Sequence, residues 1–193
     1  MSLNALQMDA VTELANIGIS RATHQLANLL NEEVHMDVPK IEWVNSEEIK
    51  SKLSLPCKEV SCIYQNIGGK INGSAALLLY PEDSQALLEG LISPNQSSES
   101  QDIQKYQNEA IMEIANIIIS SCISAMADTL CLELSISLPQ YCQTNLEHLI
   151  NSNDNAIMIY SRMESTQNHK GGQLQLLLSD SVANQVLNSI PDF

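Results

Sequence analysis

The chain repeats itself at an offset of 100 residues. Asp9-Ala-Val-Thr-Glu-Leu-Ala-Asn-Ile-Gly-Ile-Ser20 aligns with Glu109-Ala-Ile-Met-Glu-Ile-Ala-Asn-Ile-Ile-Ile-Ser120. Ala27, Leu30, Glu33 and Pro39 then meet Ala127, Leu130, Glu133 and Pro139 without a gap, and 11 of the 31 positions from Asp9 to Pro39 are identical to their partners. Farther on, Leu77-Leu78 meets Leu177-Leu178, and Gln85 and Leu87 meet Gln185 and Leu187. Self-similarity at one fixed offset marks a structural unit used twice. The units run over about 1–92 and 103–193, joined by the polar stretch 93–102, whose Pro and serines suit a linker or surface loop. Each half is short and has a long apolar helix to bury. A single domain over 1–193 with pseudo-twofold symmetry is therefore expected, not two independent ones.

Both halves read in the same order. A long helix opens each, about Asn4–Asn31 and Asp102–Leu130. Strands follow at Val34–Val38, Lys58–Gln65 and Gly73–Tyr80, and again at Glu133–Leu138, Ala156–Met163 and Gln173–Leu178. Gly68-Gly69 and Gly171-Gly172 fall where hairpin turns are needed. A helix closes each half, Pro81–Ile92 and Ser179–Ile190. The expected class is α+β, an internal duplication of two helix-plus-three-strand halves with antiparallel strands covered by helices.

Charge narrows the function. Nine Lys and Arg against 23 Asp and Glu leave a net charge of −14, so the phosphate backbone of nucleic acid and anionic lipid are repelled. With 4% aromatic residues, platforms for stacking bases are not expected either. The first residues lack a basic stretch followed by an apolar run, and Ala110–Ala127 is interrupted by Glu113, Asn116 and serines. A cytoplasmic protein without membrane insertion is expected. Its five cysteines are odd in number and form no CxxC, which fits reduced thiols. His24, His35, His148 and His169 show no paired spacing, so no metal site is expected.

Two polar stripes stand out on the opening helices. Val11, Leu14, Ala15, Gly18, Ala22 and Leu29 form one face of the first, and Asp9, Glu13, Asn16 and Ser20 form a stripe opposite. The second helix is apolar around nearly its whole circumference, leaving Glu109, Glu113, Asn116 and Ser120 as a narrow polar seam. Taken alone, Glu13 and Asn16 would be ordinary surface residues, and Ser20 and Ser120 read as structural. Retention of Glu and Asn at matching places in an apolar helix asks for a reason beyond solubility. Glu and Asn three residues apart are neighbours on the helix surface. A carboxylate attracts a cation, and a carboxamide can donate and accept at once. A carboxamide is a poor acid or base but a good orienter of water, as Gln is in nucleotide hydrolases. No Gly-rich phosphate cradle is present, so a phosphoryl group would arrive on a partner. Ser-based and Cys-based nucleophilic sites and paired carboxylates across a cleft find no support.

The spacings Asp9-x3-Glu13-x2-Asn16-x22-Pro39 and Glu109-x3-Glu113-x2-Asn116-x22-Pro139 resemble the signature of the CheC/CheX/FliY phosphatases: Asp or Ser, then Glu, Asn and Pro. Two copies in a chain of this length resemble stand-alone CheC; CheX has one functional site, and FliY proteins add a C-terminal switch domain. The resemblance extends over essentially the whole chain, including Gly73-Ser-Ala-Ala-Leu-Leu-Leu-Tyr-Pro81. It implies an enzyme, a phosphatase acting on the aspartyl phosphate of a CheY-type response regulator. Asn16 and Asn116 would orient the attacking water, and Glu13 and Glu113 would engage the regulator's lysine. Mg²⁺ would be held by the regulator, with no cofactor of the chain's own. Asp9, Glu109, Pro39 and Pro139 would support the motif, the prolines by shaping backbone beside the helix. The second copy departs from the pattern at Glu109, and Ile118 stands where Gly18 lets a partner's backbone approach. The competing implication is a non-catalytic adaptor that binds a phosphorylated regulator or a CheD-type receptor deamidase. Intact Glu and Asn in both copies favour catalysis. In either case an acidic chain meeting an acidic pocket needs local complementarity to dock.

Overall fold

The structure is a computed structural model, and it describes residues 4–45, 48, 61–70, 72–79, 84, 88, 100–142, 156–166 and 171–179. Helix α1 spans Ala5–Leu30. Asn4 caps its start through a reciprocal pair with Gln7, satisfying two backbone N–H groups that the first turn leaves without partners. Asn31 ends it in the left-handed region at φ 53°, a conformation Asn tolerates well. Helix α2 spans Ser100–Leu130 and is followed by Cys131, also at φ 53°. The linker expected over 93–102 thus yields its last three residues to α2, which begins at Ser100.

Eight strands form one antiparallel sheet among the described residues: β1 Val34–Met36, β2 Lys40–Val44, β3 Ser61–Gly69, β4 Gly73–Leu79, β5 Leu134–Ile136, β6 Gln140–Cys142, β7 Ala156–Ser165 and β8 Gly171–Ser179. Their order is β1-β7-β8-β4-β3-β5, with β2 also on β7 and β6 also on β3. The α+β class agrees with the sequence expectation; the three-strand count does not, since each half supplies four. Strands β2 and β6 were missed because each is short and directly follows a proline. They exist because β7 and β3 offer them an edge from the opposite half. The glycine pairs are not the turns themselves. Gly68 and Gly69 close β3 against Ser135 and Leu134, with only Gly69 using its freedom at φ 112°, and Gly171 and Gly172 open β8 opposite Glu164 and Met163. Ser179 ends β8 and does not begin a helix. The rest of that expected closing helix, Asp180 to Ile190, lies outside the described residues, and of Pro81–Ile92 only Ser84 and Leu88 are described, both helical.

Side chains alternate across the sheet with period 2. Ile63, Ile67, Ala75, Leu77, Ile157, Ile159, Leu174 and Leu176 face the two helices and share one core with Val11, Leu14, Ile19, Leu26, Ile111, Ile114, Ile118 and Ile123. Val44, Ala156 and Met158 form a second, smaller cluster with Tyr160 and Leu177. Residues 108–130 are long and apolar enough to cross a membrane by length and composition, yet their apolar faces lie in this core. The helices meet at Gly18. A Cβ there would stand 2.8 Å from Cys122 Sγ and 2.9 Å from its carbonyl oxygen. That corrects one expectation: Gly18 admits the chain's own second helix, not a partner's backbone.

Candidate functional site

The stripes run from the exposed side of the helices to the edge of the core. Asp9, Glu13 and Ser20 are exposed on α1, and Asn16 is half-buried. On α2, Glu109 and Glu113 are exposed, and Asn116 and Ser120 are half-buried. The neighbours of these positions, Leu14, Ala15, Ile114 and Ala115, are all buried. Each carboxylate and carboxamide is therefore held on a helix whose other faces are locked in packing, which suits a group that must be presented in one orientation. Glu13 and Glu113 face water and are free to meet a cation brought by another molecule.

The helix alone does not complete either site. Pro39 is buried and Pro139 half-buried, each starting the turn into β2 or β6. Beside them Val38 and Leu138 are 73% and 84% exposed, large apolar side chains at matching positions of the repeat. Sequence reasoning passed over both, although the repeat itself marks them. The loops before the prolines are pinned by strands of the opposite half. Ser161 Oγ on β7 donates to the Asp37 carbonyl at 2.7 Å, and Gln65 Nε2 on β3 donates to the Ser137 carbonyl at 2.7 Å.

Gln65 does more. Its Nε2 also donates to Asn116 Oδ1 at 3.0 Å, and Ser120 Oγ donates to the same oxygen at 3.3 Å. Gln65 is 1% exposed, and its Oε1 is buried without a partner. Leaving such an acceptor unpaired costs about 1–3 kcal/mol. Asn116 is thus tied to the 137–139 loop through Gln65, whereas the Asn16 carboxamide makes no hydrogen bond among the described residues. Neither Gln65 nor Ser161 was legible from the motifs, because both reach the sites from distant strands. Among the described residues no group of three or more His, Cys, Asp or Glu side chains is placed to hold a metal ion.

Comparison with known proteins follows the same lines. A profile of the CheC-like family matches residues 6–42, the stretch from α1 to β2 that contains Glu13, Asn16 and Pro39. The chain is 27% identical over 135 residues to the Bacillus subtilis (strain 168) protein named CheY-P phosphatase CheC, covering 69% of this chain. The match spans 65% of that relative's own length, just under two thirds. Among solved structures, Thermotoga maritima FliY superposes with a TM-score of 0.76 at 16% identity over 98% of each chain. A CheX–CheY–BeF3–Mg²⁺ complex from Borrelia burgdorferi matches at 0.59 with 14% identity, over 86% of this chain and 98% of that one. At these identities the structural likenesses speak for the shared fold.

Proposed function

We propose that this chain, which is similar to the CheC-like family over residues 6–42 and to a relative named CheY-P phosphatase CheC, accelerates hydrolysis of the aspartyl phosphate on a CheY-type response regulator, in the cytoplasm. The observation behind this reading is the paired presentation of Glu13 with Asn16 and of Glu113 with Asn116, outward, on helices fixed by their buried faces. Phosphoryl transfer asks little covalent chemistry of a protein and much positioning. In this reading Asn16 and Asn116 hold a water in line with the phosphorus, accepting from or donating to it as the carboxamide allows. Glu13 and Glu113, one helical turn away, meet the regulator's lysine and set the docking register. Asp9 and Glu109 extend the acidic edge, and Pro39 and Pro139 hold the loop against the helix. Mg²⁺ belongs to the regulator, and this chain supplies the water-orienting group and the orientation. The two halves act as copies related by a pseudo-twofold; the exchange of β1 and β2 onto β7, and of β5 and β6 onto β3, supports that view.

The test is decay of a radiolabelled CheY-type phospho-regulator with the wild-type chain, with Asn16→Ala, with Asn116→Ala and with both. Acceleration falls in each single variant and is lost in the double one, by about 10²-fold or more if each Asn acts as a transition-state group. Circular dichroism stays unchanged, because both side chains lie outside the core. A double variant that dephosphorylates at the wild-type rate overturns the assignment. Binding of the phospho-regulator or of a CheD-type deamidase by a wild-type chain that gives no acceleration would make it an adaptor.

A further inference from the structure

We propose that Gln65 is a positioning residue for Asn116 and makes the α2 site the preorganised member of the pair, an inference that rests on the phosphatase reading above. The Ser137 carbonyl can only accept, so the group of Gln65 that faces it at 2.7 Å must be the amide nitrogen. The second hydrogen of that nitrogen then meets Asn116, which must present its oxygen, at 3.0 Å. Ser120 donates to the same oxygen from one turn along α2. With Oδ1 committed twice, Asn116 has its amide Nδ2 left to donate to a water or a phosphoryl oxygen. The side chain is held in one orientation before any partner arrives.

Among the described residues the α1 site lacks this device. Ser161 takes the matching task of donating to the loop carbonyl, at Asp37, and a hydroxyl has only one hydrogen to give. It has none to spare for Asn16, whose carboxamide is unbonded among the described residues. Gln65 reaches Asn116 across 51 positions of sequence, from a strand of the first half to a helix of the second. Being 1% exposed, it cannot touch the regulator and acts through the groups it holds, Asn116 and the Ser137 carbonyl.

The experiment places Gln65→Met and, separately, Gln65→Glu in two backgrounds, Asn16→Ala and Asn116→Ala, each retaining one site. Gln65→Glu keeps the size of the side chain and removes the amide donor. Turnover of phospho-regulator is expected to fall roughly tenfold in the Asn16→Ala background with KM unchanged, and to hold in the Asn116→Ala background. Full activity of the α1 site in that second background shows that the variant is folded. Equal loss in both backgrounds, or loss in neither, overturns the proposal. The Asn116 side-chain amide pair in an ¹⁵N spectrum gives an activity-independent readout: it shifts in Gln65→Met while the Asn16 pair stays. An unmoved Asn116 pair overturns the contact itself. If the wild-type chain gives no acceleration, the phosphatase reading and the effect of Gln65 on turnover both fall, and a shifted Asn116 pair would then retain only the ordering contact.

Discussion

Cys122 and Cys131 carry the same thiol into opposite surroundings. Burial pushes Cys122 up from 9.0 to about 12, because the thiolate would lose its hydration, whereas Cys131 is exposed just beyond α2. Iodoacetamide at neutral pH should therefore label Cys131 and spare Cys122 and the buried Cys62 until the chain unfolds, which peptide mass mapping reads directly. The sign of the linkage follows. Between pH 9 and about 12 the unfolded chain releases the Cys122 proton while the folded one keeps it, so this group's contribution to stability is complete below pH 9 and lost as pH rises through that window. Denaturant midpoints over that range test it, with Cys122→Ala expected to flatten the slope. Glu13 and Asn16 were legible at this scale because their spacing recurs 100 residues on. Gln65 was not, because a lone Gln in an apolar strand looks the same whether or not a helix carboxamide lies above it.

Helix pairing turns on one position. Gly18 lets α1 approach the Cys122 carbonyl, and backbone at 2.9 Å from a new Cβ cannot move aside as a flexible side chain could. Gly18→Ala would gain about 1 kcal/mol from helix propensity and lose about 1–3 kcal/mol by forcing the helices apart. A net destabilisation of up to about 2 kcal/mol is expected in urea unfolding. The exposed Arg21–Asp128 pair at 2.9 Å bridges the same two helices, yet at 53% and 71% side-chain exposure it adds little, about 0–1 kcal/mol. Packing at Gly18 therefore governs the crossing. Both helices were legible almost to the residue, since Asn4 and Asn31 cap α1 as such residues should. The two short strands after Pro39 and Pro139 were not, because three to five residues contain too little alternation to declare a strand.

Across the whole molecule, each half lends its first two strands to the third strand of the other: β1 and β2 pair with β7, and β5 and β6 with β3. Residues 1–92 alone would leave two strands and the exposed core face of α1 without their partners. Either half expressed separately should lack a cooperative unfolding transition, and mixing the two should restore one. Separate halves that each melt cooperatively as monomers would show that the exchange is not required.

The sequence by itself determined the 100-residue repeat, the two helices, their polar stripes and the acidic balance, because these are written in local spacing and composition. Only the tertiary structure decided that Gly18 faces Cys122 and that the halves exchange strands. It alone decided, too, that Gln65 bonds Asn116 while Ser161, doing the matching work at Asp37, leaves Asn16 alone. Those outcomes depend on which distant backbones approach within hydrogen-bond reach, a matter of three-dimensional packing that no run of neighbouring residues encodes.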